Sequence, residues 1–538
     1  MRFLSQHRQF LKVMSTMLFF FFCALILFFS IRGLPGNPTP VELNQFSWRD
    51  NGPFELSPER GRYALLYSLV ENKSFSFTPE LARFTVPDLA YSPQKGYVSL
   101  FAPAVSFMVI PGYLIGKSFG DAQFGAYAVI AFFALLNVLL IRAIALRLGA
   151  HSVAATIGGF AFLFASPSFA YAVNLYQHHI STFLILLSLY LLVRFNNILS
   201  LCLIWMLYAL SVSVDYPNFF LMFPIAVAAL GRAFIVKKDE TRTHVFFSLG
   251  KFLTVVSVVI PLLFFFWSNT VSYGNPLQLA GGLTAVSDVA PDGSPIFVDR
   301  ATAALKKTNA DEPPPTKEAE PQRNVLNFFQ NRNLMNGFYI HFFSPDRGIL
   351  VYAPIMFFAI LGIYFALKKR QKTILVIFGV LGANILLYSM WGDPYGGWAF
   401  GSRYLIPAYA LLSLFIALAL TRFKKNSIFL LIFFIVLSYS IAVNTMGAIT
   451  SSRNPPQIQI LSLEKDSGIK QEYTFLRNAQ MLAAGQSKAF FFKTYMKNYV
   501  SAWNYYYILT VLIVFTAALL LIFLRFTKTK SEGGINEV

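Results

Sequence analysis

The stretch FGAYAVIAFFALLNVLLI, from Phe124 to Ile141, carries no charged side chain and is followed directly by Arg142. A helix that crosses the hydrocarbon core of a bilayer needs about 20 mostly apolar residues, and an apolar run of about 18 with few charges is the usual criterion. This run therefore predicts a membrane-spanning helix. Runs that meet or approach the criterion occur along the whole chain: Val13–Ile31, Val153–Val173, Ile180–Val193, Ile198–Val214, Phe219–Ile235, Phe252–Trp267, Ile349–Leu367, Thr373–Tyr388, Tyr404–Leu420, Ile428–Thr445 and Tyr505–Phe523.

The number of runs predicts an all-α, polytopic membrane protein with about twelve transmembrane helices. Ile180–Val193 and Ile198–Val214 are short and are joined by only four residues, so they can also be interpreted as one hairpin. That alternative would change the count by about two. The first run is longer than the apolar region of a signal peptide and lacks a small-residue cleavage site, so we interpret it as a retained helix.

The composition excludes a large soluble protein. Of the 538 residues, 56% are hydrophobic and 13% are charged, about half the charged share of a soluble protein. A net charge of +19 would suggest a nucleic-acid partner in a soluble protein, but the basic residues lie in short clusters at the ends of apolar runs. We therefore predict that they orient the chain in the bilayer and that no nucleic acid binds. Cys23 and Cys202 lie inside apolar runs, which excludes a disulfide framework.

The distribution of basic residues predicts the topology. Cytoplasmic connections of membrane proteins are enriched in Lys and Arg. If the N-terminus is cytoplasmic, the inner connections hold the basic clusters, and the short outer connections are nearly free of them. The inner residues are Arg142, Arg147, Arg194, Arg232, Lys237, Lys238, Arg242, Lys368, Lys369, Arg370, Lys372, Arg422, Lys424, Lys425, Arg525, Lys528 and Lys530. Both termini are then cytoplasmic.

Three long segments are predicted on the outer face, at residues 32–121, 268–348 and 446–504. Loops of this length are usually functional or disordered. In the first, Leu100–Ile115 is apolar but is interrupted by two prolines, so we predict a juxtamembrane helix and not a span. The second contains a Pro- and Glu-rich stretch that predicts a flexible insert near 285–323. We divide the chain into a transmembrane catalytic region, 1–445, which includes the first two outer segments, and a region 446–538 with the third outer segment, the last helix and a cytoplasmic tail.

Two acids in the first outer segment are candidates for catalysis. Ser57-Pro58-Glu59 is typical of a helix start, with a capping residue, a proline at the first position and an acid in the first turn. Asp88 also follows a proline. The alternative interpretation is that both acids only serve helix ends, and the spacing alone favours it.

The most unusual stretch is WGDPYGGWAFGSRY, Trp391–Tyr404, at a predicted outer interface. An aromatic belt with one snorkelling arginine, Arg403, would explain Trp391 and Trp398. It would not explain four glycines, which suggest a close approach of the backbone to another group.

Further candidates lie at the outer ends of the spans. His178 and His179 are adjacent, and adjacent residues of a helix point in different directions, so a metal site is a poor prediction. Asp215 is an acid at a membrane boundary, where ionisable groups are often functional, although plain solvation explains it about equally well. The chain contains no P-loop, dinucleotide fingerprint or HExxH motif, so ATP-driven transport and zinc proteolysis have no support.

Short motifs on the outer segments follow one another in an order that resembles a known family. They are GRYAL (Gly61–Leu65) with SLVE (Ser68–Glu71), PDLA (Pro87–Ala90), GYVSLFAP (Gly96–Pro103), VIPGY (Val109–Tyr113), YGNP (Tyr273–Pro276), SPDRGILVYAP (Ser344–Pro354) and GGWAFGSRYLIP (Gly396–Pro407). The layout resembles the GT-C membrane glycosyltransferases, in the branch of protein O-mannosyltransferases and lipid A aminoarabinose transferases, and especially its family-39-like bacterial members. Relatives often have an Asp-Lys pair where this chain has Leu100-Phe101. If that lysine holds the lipid phosphate, this chain must use another cation.

The resemblance implies transfer of a hexose or pentose from a polyprenyl-phosphate donor to an acceptor hydroxyl on the outer face, with inversion. The acceptor would be a glycan, a lipid or a protein, and the enzyme would lie in a bacterial plasma membrane. A phosphate leaving group needs cations, and the forked guanidinium of arginine suits it. No cofactor is predicted, and the need for a divalent metal stays open. A transporter or flippase of lipid-linked glycans, or a glycan polymerase, is the alternative.

The resemblance, with the positions above, assigns roles to nine residues. Glu59 and then Asp88 are the candidates for the catalytic base, because the family's base lies in the first outer segment. Arg403 and Arg62 are predicted to bind the donor phosphate. The predicted substrate-binding residues are Tyr63, His178, His179, Tyr395 and Trp398.

Overall fold

The structure is a computed structural model that describes residues 2–238, 243–297, 329–368 and 371–527. Most of these residues are helical. The α-helices are α1 Arg2–Ser30, α2 Pro40–Leu43, α3 Ser57–Val70, α4 Pro79–Thr85, α5 Ala104–Met108, α6 Ile110–Ser118, α7 Ala122–Arg147, α8 Ser152–Phe164, α9 Ser168–Ala172, α10 His178–Arg194, α11 Ile198–Val214, α12 Asn218–Gly231, α13 Leu249–Phe252, α14 Val259–Tyr273, α15 Leu334–Phe342, α16 Ile349–Tyr352, α17 Ala359–Lys368, α18 Lys372–Ser389, α19 Ile406–Phe423, α20 Ser427–Ile449, α21 Gln457–Ser467, α22 Leu476–Ala483 and α23 Ala502–Phe526. Short 3-10 helices lie at Leu253–Val258, Ala280–Gly282, Asn331–Asn333, Pro354–Phe358 and Arg403–Leu405, and a π-helical turn at Phe492–Met496.

The helices confirm a polytopic, mostly helical membrane protein. Six are long and apolar enough to cross a bilayer: Ala122–Arg147, Leu249–Tyr273, Lys372–Ser389, Arg403–Phe423, Ser427–Ile449 and Ala502–Phe526. Six shorter apolar helices fall on the remaining predicted runs: Met14–Ser30, Ser152–Phe164, His178–Arg194, Ile198–Val214, Asn218–Gly231 and Pro354–Lys368. The helices α10 and α11 are separate, with Asn197 capping α11 through the Ser200 amide at 2.8 Å. That all twelve cross the membrane stays a prediction.

One predicted run is broken. Residues 153–173 form α8 and the short α9, which are separated at Ser166 and Pro167. A proline lacks the amide hydrogen that a continuous helix needs, and its ring clashes with the preceding turn. The Phe162 carbonyl, near the end of α8, accepts a hydrogen bond from the Ser166 hydroxyl at 2.7 Å.

The first outer segment, 32–121, holds short helices. The apolar stretch Leu100–Ile115 forms α5 and the first part of α6, which meet at Val109. With 5 and 9 residues these helices are too short to span a bilayer. The prediction that this stretch is not a span is therefore confirmed.

A four-stranded antiparallel sheet joins the first and second outer segments. The all-α prediction did not include this sheet. Its order is β2-β1-β5-β6. The strands of the whole chain are β1 Leu89–Ser92, β2 Gly96–Ser99, β3 Phe234–Lys238, β4 Thr243–Phe247, β5 Thr284–Val289 and β6 Pro295–Phe297, and β3 and β4 form a separate hairpin. Pairing of Leu89 with Val286 requires both segments to lie on one side of the membrane.

The sheet also corrects the prediction of a flexible insert near 285–323. Its first part, up to Phe297, is β5, a turn and β6, because β5 pairs with β1 and buries Val286 completely. The remainder, 298–323, lies outside the described residues.

A buried ion network ties the first outer segment to the third. The Arg32 guanidinium, which is fully buried, donates to Glu55 at 3.1 Å, and the Lys488 ammonium donates to the other Glu55 oxygen at 2.5 Å. The Ser451 hydroxyl also donates to Glu55, at 2.6 Å. Although burial acts in the opposite direction, the charges of Lys488 and Arg32 lower the pKa of Glu55. The network therefore holds an ionised carboxylate in the interior.

Candidate active site

A cavity of about 180 Å³ lies between the first outer segment and the ends of several apolar helices. Its lining comes from α3, the chain after β2, the start of α10, the α11–α12 connection and the α18–α19 connection. The lining residues are Pro58, Arg62, Leu100, Phe101, Ala102, Tyr176, Gln177, His178, Val214, Asp215, Tyr216, Pro217, Tyr388, Trp391, Arg403 and Tyr404. We call it the arginine cavity. It brings together Arg62, Arg403 and His178, three of the nine residues that the sequence predicts.

Arg62 enters the cavity from the first turns of α3. Its guanidinium donates to the Pro58 carbonyl at 2.9 Å and to the Gln177 side chain at 2.6 Å. The Phe101 ring packs against the guanidinium at 4.7 Å. Burial lowers the pKa of Arg62 to about 10, which still leaves it charged at neutral pH. Its Nε has no hydrogen-bond partner within the described parts of the chain.

Arg403 enters from the opposite wall, at the start of the helix that continues as α19. It donates to the Tyr176 hydroxyl at 3.3 Å, and it lies over the rings of Tyr176 and Tyr404 at 5.3 and 5.5 Å. Tyr176 also faces Arg62 at 5.8 Å, so one aromatic ring serves both guanidiniums. Neither arginine forms an ion pair with a described carboxylate. The cavity therefore holds two guanidiniums, neither of which is in direct contact with a carboxylate.

Asp215 is the acidic residue of the lining. Its carboxylate accepts from the Gln177 amide at 3.0 Å, and Gln177 in turn accepts from Arg62. Burial raises the pKa of Asp215, while the Gln177 bond and the two arginines act against that change. The sequence flagged Asp215 as a boundary acid but could not show that Gln177 would connect it to Arg62.

The two histidines separate as helical geometry requires. His178 lines the cavity and stacks on the Tyr176 ring at 5.7 Å, and its Nε2 has no partner among described residues. His179 points to the opposite side, where its Nε2 lies 2.8 Å from the Ser168 carbonyl. Successive helical side chains diverge by about 100°. His179 is therefore a core residue, and its position does not support the predicted substrate-binding role.

The position of Tyr63 does not support its predicted role either. It is the neighbour of Arg62 on α3 but is fully buried on another face, with its ring 4.6 Å from Phe54 and 6.0 Å from Tyr113. It does not line the arginine cavity.

Glu59 lies behind the cavity wall and does not line it. It is fully buried, and one carboxylate oxygen accepts from the Leu56 amide at 3.2 Å, as at a helix start. The other oxygen has no partner in the described chain. Burial and then the charge of Glu55 raise the pKa of Glu59 to about 8. These two effects oppose the helix terminus, which alone favours the ionised form.

Asp88 lies at the edge of the site. The Ser57 hydroxyl donates to its carboxylate at 2.5 Å, and Ser57 precedes Pro58 of the cavity wall. Asp88 itself is partly buried outside the lining.

Tyr395 and Trp398 also lie outside the lining. The buried Arg347 donates to the Tyr395 and Gly397 carbonyls at 3.1 and 2.9 Å and so fixes this loop. The indole of Trp398 donates to Gln459 at 2.9 Å. The prediction that these residues bind substrate has no support from their positions.

The glycines of this loop have a structural explanation. Gly396, Gly397 and Gly401 have φ angles of +71°, +62° and +60°, a conformation that residues with a side chain rarely adopt. A Cβ at Gly401 would come within 2.6 Å of the Pro167 ring. The close approach that the sequence suggested is to the protein itself.

Leu100 and Phe101, where the sequence departs from the family pattern, line the arginine cavity. The Phe101 ring packs on the Arg62 guanidinium. Arg62 and Arg403 supply the positive charge of the cavity. Among the residues that the structure describes, no three His, Cys, Asp or Glu side chains come together as metal ligands.

The chain is similar in structure to solved membrane transferases, although no protein-family model and no curated protein matches its sequence. ArnT from Cupriavidus metallidurans bound to undecaprenyl phosphate is 14% identical, and the match covers 93% of this chain and 76% of ArnT at a TM-score of 0.43. AglB, an oligosaccharyltransferase from Archaeoglobus fulgidus in complex with an inhibitory peptide and dolichol-phosphate, is 14% identical, with coverage of 94% and 56% and a TM-score of 0.38. At these identities and TM-scores the likeness concerns the fold alone.

Proposed function

We propose that this protein is a glycosyltransferase that moves a sugar from a polyprenyl-phosphate donor to an acceptor hydroxyl on the outer face of the membrane. The observation that carries the proposal is the pair Arg62 and Arg403 in one cavity, without a carboxylate bound to either. A buried cation without a counter-ion is costly, and a phosphate would satisfy both guanidiniums through paired N–H donors. The cavity lies where apolar helices meet the outer segment, as an amphiphilic donor requires.

In the proposed reaction, the acceptor oxygen attacks the anomeric carbon as the bond from that carbon to the phosphate oxygen breaks. The bonding electrons leave with the phosphate, and Arg62 and Arg403 stabilise the charge that develops there. Attack from the side opposite the phosphate inverts the anomeric centre, and the acceptor proton passes to a carboxylate.

Glu59 is our assignment for that carboxylate. Its free oxygen and its pKa of about 8 suit a base that works near neutral pH. Its charge contributes, after burial, to the raised pKa of Tyr176, so it lies within electrostatic range of the cavity wall. A phosphate that binds the Arg403 guanidinium would compete with the Tyr176 hydroxyl for its N–H groups. Asp215 and Asp88 are the alternatives.

The same proposal places the protein in a bacterial plasma membrane with cytoplasmic termini and with residues 1–445 as the catalytic region. The sugar and the acceptor are not specified by the cavity.

The test uses purified, monodisperse protein with a labelled polyprenyl-phosphate sugar and candidate acceptors. We expect transfer by the wild type and loss of about a hundredfold or more in turnover with Glu59→Gln, while the protein stays folded. Loss with Asp215→Asn alone would move the base to Asp215. Movement of the labelled lipid across a proteoliposome membrane without transfer would show a flippase, and would refute the proposed reaction.

A further inference from the structure

A second cavity, which the proposed reaction does not use, lies on the predicted outer face. It has a volume of about 290 Å³, near the lower end of ligand pockets. Its walls are the loop at Ser47 and Asn51 and the chain from Gly485 through the π-helical turn, including Lys493 and Lys497. We call it the lysine cavity. None of its nine described lining residues is acidic.

The two lysines have donors to spare. The Lys493 ammonium donates to the Asn51 carbonyl at 2.9 Å, which uses one of its three hydrogens. Neither lysine forms an ion pair with a described residue. They are four residues apart on one turn, so they point to the same side. π-helical turns of this kind are frequent at functional sites.

The surrounding charges leave these lysines without a counter-ion. Glu55 is the nearby acid, and Arg32 and Lys488 already bind both its oxygens. Burial, together with the positive charges of Lys488 and Lys497, lowers the pKa of Lys493 to about 8. A bound anion would relieve this repulsion and keep Lys493 charged at neutral pH.

The position of the cavity points to the membrane interface. Leu34, just after α1, forms part of its wall. Next to the wall residue Phe492, the Phe491 ring packs on Phe29 at 4.6 Å and Phe490 packs on Phe124 at 4.6 Å. Tyr495, on the same turn, lies 5.3 Å from the Phe491 ring, and tyrosine is enriched at the headgroup level of a bilayer.

We propose that the lysine cavity binds a phosphate group at the outer membrane interface, through the ammonium groups of Lys493 and Lys497. Two sources share this chemistry, namely the headgroup of an anionic lipid and a free phosphate or phosphate-bearing solute. Ser47, Asn51 and Gln486 supply polar groups for the remaining oxygens.

The experiment compares the variant Lys493→Gln/Lys497→Gln with a matched control, Lys465→Gln/Lys470→Gln, whose lysines lie exposed on the same outer segment. Full-length protein in detergent is titrated with inorganic phosphate and, separately, with short-chain phosphatidylglycerol, with phosphatidylcholine as the zwitterionic reference. Because the arginine cavity is intact in both variants, it contributes equally.

We expect the cavity variant to bind phosphatidylglycerol about tenfold or more weakly than the control. Loss of phosphatidylglycerol binding alone identifies a lipid headgroup site, and loss of inorganic phosphate binding as well identifies a general phosphate site. Equal binding of both probes by the two variants would overturn the proposal. If the double variant does not fold, the single variant Lys497→Glu is tested in its place, because Lys497 is exposed. Binding of phosphatidylglycerol by this variant at the wild-type level would also overturn the proposal.

Discussion

At the scale of single residues, Tyr176 organises the arginine cavity. Its ring faces both guanidiniums and the His178 imidazole, and its hydroxyl accepts from Arg403. An aromatic face beside each guanidinium leaves the Nε–H of both arginines without a hydrogen-bond partner among the described residues, and a phosphate can accept from it. The geometry therefore depends on the planar fork of arginine and not on charge alone.

Substitution of Arg403 tests that dependence. Arg403→Lys keeps the charge but loses the bidentate fork and the stacking, so we expect affinity for a polyprenyl phosphate to fall about tenfold. Arg403→Ala should weaken it further. Arg332→Lys, on an exposed residue of the second outer segment, is the control. Wild-type affinity in Arg403→Ala, measured by titration of the purified protein, would show that this residue does not hold the phosphate.

The buried Glu59 predicts a pH-dependent stability. Its pKa is about 8 in the folded protein and about 4.5 when solvated, so its contribution to stability is present below about pH 4.5 and is lost as pH rises toward 8. The wild type should lose up to roughly 1.4 kcal/mol per pH unit in that interval relative to Glu59→Gln. Thermal unfolding in detergent at pH 5, 6, 7 and 8 measures the difference. A constant difference between the two proteins would mean that Glu59 titrates normally.

At the scale of elements, long apolar helices could be predicted and short strands could not. The run from Phe124 to Ile141 carries its own signal in length and hydropathy, and the helix Ala122–Arg147 forms there. The strands β1 and β5 have four and six residues and take their stability from a partner far away in the chain. Strand preference depends strongly on such neighbours, so the insert near 285–323 was predicted to be flexible throughout.

Cysteine labelling tests the arrangement of the segments. Single cysteines at Asn72, Ser294 and Ser467, all exposed, should react with a membrane-impermeant thiol reagent added outside intact cells. Thr243→Cys, in the β3–β4 hairpin of a predicted inner connection, should react only after the membrane is opened. Wild-type protein gives the background of Cys23 and Cys202. Protection of Ser294→Cys while Asn72→Cys labels would contradict the topology and the shared sheet.

At the scale of the whole molecule, the ion network of Arg32, Glu55 and Lys488 holds distant parts of the chain together. We expect Glu55→Gln to cost about 3–5 kcal/mol, since it leaves two buried cations without their partner. The control is Lys470→Gln, which breaks an exposed ion pair with Glu464 of 3.6 Å and should cost about 0–1 kcal/mol. Thermal unfolding of the purified variants measures both. Equal midpoints would show that the buried network does not stabilise the fold.

Only some residues of the arginine cavity could be predicted from the sequence. Arg403 and His178 could be identified because they are polar residues at the ends of apolar runs, and Arg62 because it lies in the motif GRYAL. Tyr176, Gln177 and Phe101 could not, because their contribution is contact across helices that only packing brings together. Tyr63 and His179 were assigned together with their neighbours Arg62 and His178. Each lies one residue further along a helix, so its side chain points into the core and not into the cavity.

The sheet across the outer segments has a consequence for biosynthesis. β1 leaves the ribosome before the helices Ala122–Arg147 to Leu249–Tyr273, and β5 leaves after them. Translation proceeds at about 5–20 residues per second. The edge of β1 that later pairs with β5 therefore stays unpaired for on the order of ten seconds or more. Phe101 lies two residues after the end of β2, and the Tyr273 hydroxyl donates to the Ser99 carbonyl at 3.2 Å. The wall beside Arg62 is therefore finished only when the sixth of these helices has been inserted, and a nascent chain cannot complete the arginine cavity earlier.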